Sequence, residues 1–185
     1  MKIKKYVLVL VMMLVVLLSC AGCGADKDKK GKEEKPPYEV VLDNYFNGIV
    51  EGDYDKYIKV FPKFMPSYDD IDEDFMEDMV DEFEDEYGAN LKVSYEIKNK
   101  EEINEEDLEN VEKYISYRYD EDVEITGGYE LKVTATIKGE DDEDTNSQKM
   151  YIYNIDGNWN YLSLSPNTAE SYVNSKEKKD WYICK

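Results

Sequence analysis

The sequence predicts an α+β domain: N-terminal helices packed on one face of a mostly antiparallel sheet of about four strands. Three observations point there. From Tyr38 to Tyr87 the apolar residues recur at helical spacing. From Leu91 the period drops to two, apart from one helical stretch over 104–119. Short turn signals, above all Asp156-Gly157, separate the later strands, and tight turns join antiparallel neighbours. Helices first and strands after is an α+β order, because each amphipathic stripe needs the apolar face of a sheet to bury against.

The chain opens with "MKIKKYVLVLVMMLVVLLSCAGCG": lysines, an apolar run from Tyr6 to Leu18, then small residues and cysteines. This is the three-part build of an export signal. Within it "LLSC", Leu17 to Cys20, resembles the bacterial lipobox, in which a peptidase cuts before a cysteine that carries lipid on its sulfur. The resemblance implies a signal peptide over 1–19 and a lipidated Cys20. Cys23, the end of Ala-Gly-Cys, is the alternative, although Cys20 stands three places before it where the pattern wants an aliphatic residue. Cleavage without lipid and an uncleaved anchor are the other readings, since Tyr6 to Ala25 is an uncharged span of 20 residues. All three place the domain outside the cytoplasm, and lipidation holds it on the extracytoplasmic face of the membrane. Acyl chains hold there through about 0.8 kcal/mol per buried CH₂.

"GADKDKKGKEEKPP", Gly24 to Pro37, has no apolar residue larger than alanine and reads as a disordered tether, completing a 20–37 linker segment. Pro36-Pro37 then opens a helix over 38–51 with Tyr38, Val41, Leu42, Tyr45, Phe46 and Ile49 on one side. Gly52 ends it. Asp53 caps a second helix presenting Tyr54, Tyr57, Ile58 and Phe61, and Pro62 and Pro66 bound a connection.

The stretch "DDIDEDFMEDMVDEFEDEYG", Asp69 to Gly88, holds twelve carboxylates. Ile71, Phe75, Met76, Met79, Val80, Phe83 and Tyr87 form a helical stripe, and Gly88 sits where a C-terminal cap belongs. Like-charge neighbours four apart cost about 0.2–0.5 kcal/mol each, which burial of the stripe outweighs. No cation is needed to explain the pattern. "DIDED", Asp70 to Asp74, starts like a calcium loop, but Phe75 stands where that loop needs glycine.

Leu91, Val93, Tyr95 and Ile97 alternate as a half-buried strand. Asn104 caps a helix to about Tyr119 with Leu108, Val111 and Ile115 inward. Gly127-Gly128 reads as a turn, Tyr129 to Ile137 as a strand, and "GEDDEDTNS", Gly139 to Ser147, as a polar hairpin loop. "QKMYIYNI" and "NWNYLSL" flank the Asp156-Gly157 hairpin turn. The domain thus spans 38–165. Residues 166–185 read as a polar tail that docks as a short strand or stays loose.

Composition narrows the function. The chain carries 23 basic and 43 acidic residues, net −20, and without 1–19 the balance is 20 against 43, net −23. That argues against nucleic acid and anionic lipid surfaces as partners. With no histidine, histidine catalysis and histidine zinc sites are excluded. No catalytic, metal or cofactor set is expected. If Cys20 is lipidated, Cys23 and Cys184 remain, and the compartment allows them to pair as a disulfide.

"LDNYFNGIVEGDYDKYIKVF" followed by "YNIDGNWNYL" resembles the small nuclear-transport-factor-2-like (cystatin-like) domains of Gram-positive lipoproteins. In these, two opening helices meet at a Gly-Asp-Tyr-like step and a late hairpin carries Asp-Gly-x-Trp. The resemblance implies a cone-shaped fold on a curved sheet with a pocket between sheet and helices. It carries over no catalytic residues, and the helix at 104–119 departs from the simplest version. Three functions are therefore weighed. One is a non-catalytic binding or accessory module for a small ligand, with tyrosines as candidate pocket walls. Another is a docking partner of an envelope protein through the acidic helix. The third is an enzyme pairing a buried carboxylate with a tyrosine.

Overall fold

Proline begins the first helix, where its missing N–H is no loss: α1 runs Pro37–Glu51 and ends at Gly52. The computed structural model describes residues 35–65 and 72–183, with side chains to 178. The leader, Cys20, Cys23 and Cys184 lie outside the described residues. Lys35 onward forms one compact unit.

Asp53 accepts the Lys56 N–H at 3.0 Å and caps α2, Tyr54–Ile58, shorter than the stripe to Phe61 predicted. Asp72 accepts the Phe75 N–H at 2.8 Å and caps α3, Glu73–Tyr87. After β1, Lys92–Glu102, Asn104 caps α4, Glu105–Tyr119, by accepting from Asp107. Then follow β2, Ile125–Lys138, β3, Glu143–Ile155, and β4, Asn158–Tyr161. The four strands form an antiparallel meander in the order β1-β2-β3-β4. The α+β class is as predicted.

Four local expectations are corrected. Gly127 and Gly128 are not a turn but lie inside β2, where the register slips between Ile125 and Gly127. Gly128 is there for space: a Cβ would meet Tyr153 at 2.9 Å and Ile103 and Leu108 at 3.1 Å. The polar loop shrinks to Gly139–Asp142, because Glu143 to Ser147 pair with β2 through Thr134–Ser147 and Thr136–Thr145 hydroxyl bonds. Within α3, Phe75 is 43% exposed, and of the described stripe residues only Met76 and Tyr87 are buried. Finally, Pro166–Ile183 is neither strand nor loose end but a helix, α5. Its Ala169 and Val173 are buried, and it packs along α4.

That last helix changes the layering. Ile152 and Tyr153 are adjacent and both fully buried, but in different cores. Ile152 joins Met150, Leu131 and Val133 beneath Val41, Leu42 and Phe46 of α1. Tyr153 and Ile155 join Leu108, Val111 and Ile115 of α4 and Ala169 of α5. Successive strand residues point to opposite faces, so the sheet is covered on both sides, not on one as expected. Bulges after Ile125 and after Ile97 switch which residues face which helix.

Candidate functional site

Two of the concavities among the described residues are several hundred Å³ in volume. The first is an acidic groove of about 520 Å³ between the α1–α2 corner and α3. Asp53, Tyr54 and Asp55 face Glu73, Glu77, Val80 and Asp81 across it. The Lys56 backbone N–H and its ammonium hold Asp53 below the usual carboxylate range. Lys56 also pairs with Glu51. Among the described residues no three acidic or cysteine side chains come together as a metal-holding group.

The second cavity, about 610 Å³, lies at the hairpin end of the sheet. Three chain segments meet there: 58–64 after α2, 121–123 between α4 and β2, and 155–160 across the β3–β4 turn. Backbone bonds hold them. The Tyr161 N–H donates to Val60 O at 2.6 Å and fixes the first segment to β4. The Asp156 N–H donates to Glu124 O at 2.9 Å, and the Asp156 carboxylate accepts the Glu124 N–H at 2.9 Å, fixing the second segment to the hairpin. Glu112 of α4 accepts the Ile125 N–H at 2.6 Å, so the helix end cannot drift from β2.

Ile58, Phe61, Phe64, Val123 and Ile155 form the apolar lining. Lys59 and Lys63 stand on one wall, Glu121, Asp122 and Asp156 on the others, and Asn158 and Asn160 come from the strand. Neither lysine forms an ion pair among the described residues. Asn160 is the buried polar side chain of the described core, 8% exposed. It belongs to the cavity wall. A carboxamide in a cavity wall offers a ligand two N–H donors and an acceptor oxygen. Asn154 Oδ1 is buried without a partner, but Asn154 opposes Trp159 on the other face of the sheet.

The carboxylates of the second cavity are exposed, as are all those of the first except half-buried Asp53. A buried carboxylate, the feature an acid–base pair needs, occurs in neither. Tyrosine, expected as a wall, lines only the acidic groove, through Tyr54. The others interlock: Tyr45 packs against Phe46, Tyr57, Phe61 and Tyr161, and Tyr129 stacks on Trp159 at 5.4 Å. Burial pushes the Tyr45 and Tyr153 hydroxyls above the usual tyrosine range.

Sequence reasoning passed over Lys59, Lys63, Asn158 and Asn160. One signal was present. Asn158 and Asn160 share a strand face while Trp159 and Tyr161 fill the other, so the asparagines stand at positions that a two-sided core would give to apolar residues. The chain matches no protein-family model, no curated protein and no solved structure.

Proposed function

We propose that the chain is a lipid-anchored binding module of the bacterial cell surface, whose ligand occupies the cavity at the hairpin end of the sheet. The observation that carries the binding reading is the cavity of about 610 Å³ itself, whose wall joins five apolar side chains to the Asn160 carboxamide. Small-molecule sites combine an apolar lining of that size with a few convergent polar groups. Anchoring rests on the leader and on Cys20 as the lipidated residue, with Cys23 the alternative. The finer fold assignment is the nuclear-transport-factor-2-like one. It is supported by two opening helices meeting at Gly52-Asp53-Tyr54 and by a late Asp-Gly-Asn-Trp hairpin.

Two measurements test this. Intact mass of the protein from membrane fractions should give a chain starting at Cys20 plus diacylglyceryl. A retained Met1–Ser19 leader or a bare thiol would end the anchoring proposal. A fragment screen by amide NMR should move the side-chain NH₂ signals of Asn158 and Asn160 together. If no compound moves them, the cavity is not a binding site.

A second reading has its own observation. The α3 carboxylates are solvent-facing, Phe75 is exposed among them, and none of them pairs with a lysine among the described residues. This face suits docking to a basic envelope protein. Such capture should weaken steeply with salt, and salt-independent capture would exclude it.

A further inference from the structure

Resting on the cavity reading, we propose that the ligand is a small zwitterion with an apolar body, of the class of apolar amino acids and their short peptides. The argument is the segregation of charge. Both cations, Lys59 and Lys63, come from the segment after α2. The anions Glu121 and Asp122 come from the loop after α4, with Asp156 at the hairpin. The α4 helix ends at Tyr119 with Asp120 as its cap, so the negative end of its dipole adds to the anionic wall. An ammonium is favoured there and a carboxylate is favoured by the lysines. Phe61, Phe64, Val123 and Ile155 offer apolar surface between them. Asn158 and Asn160 each supply a donor and an acceptor, which suits both ends of such a molecule.

The alternatives fit less well. A simple anion meets three cavity carboxylates and the field of a chain with net charge −20. A simple cation leaves both lysines unmatched and has the whole acidic surface to choose from. A neutral apolar molecule would strip water from the Asn160 amide without replacing its hydrogen bonds, which is costly. A zwitterion has no net charge, so the global field neither attracts nor repels it, and the local walls decide its orientation.

The test uses the full chain in detergent micelles and three probes: L-phenylalanine, N-acetyl-phenylalanine and phenylalanine amide. Calorimetry should show that the zwitterion binds about tenfold or more tightly than either single-charge analogue, the scale of one lost charge-assisted contact. The double variant K59Q/K63Q should weaken phenylalanine by a similar factor and leave the amide unchanged. E121Q/D122N should weaken phenylalanine and leave the acetyl form unchanged. Equal affinity for all three probes, with the Asn158 and Asn160 signals moving, would overturn the zwitterion and leave the cavity standing. Probes and fragments that all fail to move those signals would remove the cavity and this proposal together.

Discussion

Replacing Gly139 with alanine tests whether the acidic helix is locked to the β2–β3 loop. A Cβ at Gly139 would lie 2.1 Å from Tyr87 O and 2.6 Å from Gly88 O. Those are backbone atoms and cannot rotate away. The loop must move, and three bonds depend on its position. Asp141 and Asp142 donate to Tyr87 O at 2.9 and 3.1 Å, and Glu140 donates to Ala89 O at 3.1 Å. Overpacking of this kind costs about 1–3 kcal/mol, and each weakened bond about 1 kcal/mol. We expect a loss of about 3 kcal/mol, or about 6–12 °C in Tm for a chain of this size. The control is Gly157→Ala in the Asp-Gly turn. There φ is +80° and nothing lies within 4 Å, so only backbone strain of about 1 kcal/mol applies. Urea and thermal unfolding of both variants decide it. If Gly139→Ala loses no more stability than Gly157→Ala, the close approach between loop and helix is wrong.

Other expectations follow from single contacts and from charge. Tyr153→Phe removes a buried hydroxyl that donates to Leu164 O at 2.7 Å and leaves that carbonyl without its partner, so urea unfolding should show a loss of about 1–2 kcal/mol. The Tyr45 and Tyr153 hydroxyls titrate above their unfolded value of about 10, so the folded state holds its protons longer. Their contribution is fully present below pH about 10 and is lost as pH rises toward the folded values. Stability measured by urea should therefore fall above about pH 10, and a flat alkaline limb would contradict the burial of both rings. Finally, the carboxylates of α3 repel one another at four-residue spacing, from Glu73 and Glu77 to Glu82 and Glu86. Raising salt from about 20 to about 500 mM should raise Tm by screening them, and a fall would show that attractive ion pairs dominate instead.

What was legible in the sequence is what local periodicity encodes. The caps at Asp53 and Asn104, the four strands and the Asp156-Gly157 turn all follow from side-chain spacing or from chemistry within a few residues. The errors came from contacts between distant segments. Gly127-Gly128 looked like a turn because two glycines usually break a strand. Tyr153, Ile103 and Leu108 instead require the missing side chain of Gly128. α5 looked like a loose tail because its buried contribution is small, Ala169 and Val173 with Tyr172 against Tyr114, and only the presence of α4 makes that enough. The cavity had no motif because its walls come from three separated segments, each ordinary alone.

The two most acidic strings of the chain show the same limit from the opposite side. Read separately, 72–86 and 139–144 are both solvated surface, and like charges should keep them apart. In the fold they meet, since the N–H groups of Asp141 and Asp142 both donate to the last carbonyl of α3, Tyr87 O. The carboxylates of the loop stay exposed, and Asn90 takes one of them, donating to Glu140 at 2.6 Å. Backbone hydrogen bonding therefore sets where the helix ends, and side-chain charge only opposes it. Along α3 the buried contacts are few: Met76 with Ile49 and Tyr57, and Tyr87 at the end. The sheet, by contrast, is packed on both faces. The acidic helix is thus held by one buried residue near each end, with Met79 and Phe83 packed half-buried between them. Small changes in salt or in the loop should be felt there before they reach the cavity, because the segments of the cavity are tied to β2 and β4 instead.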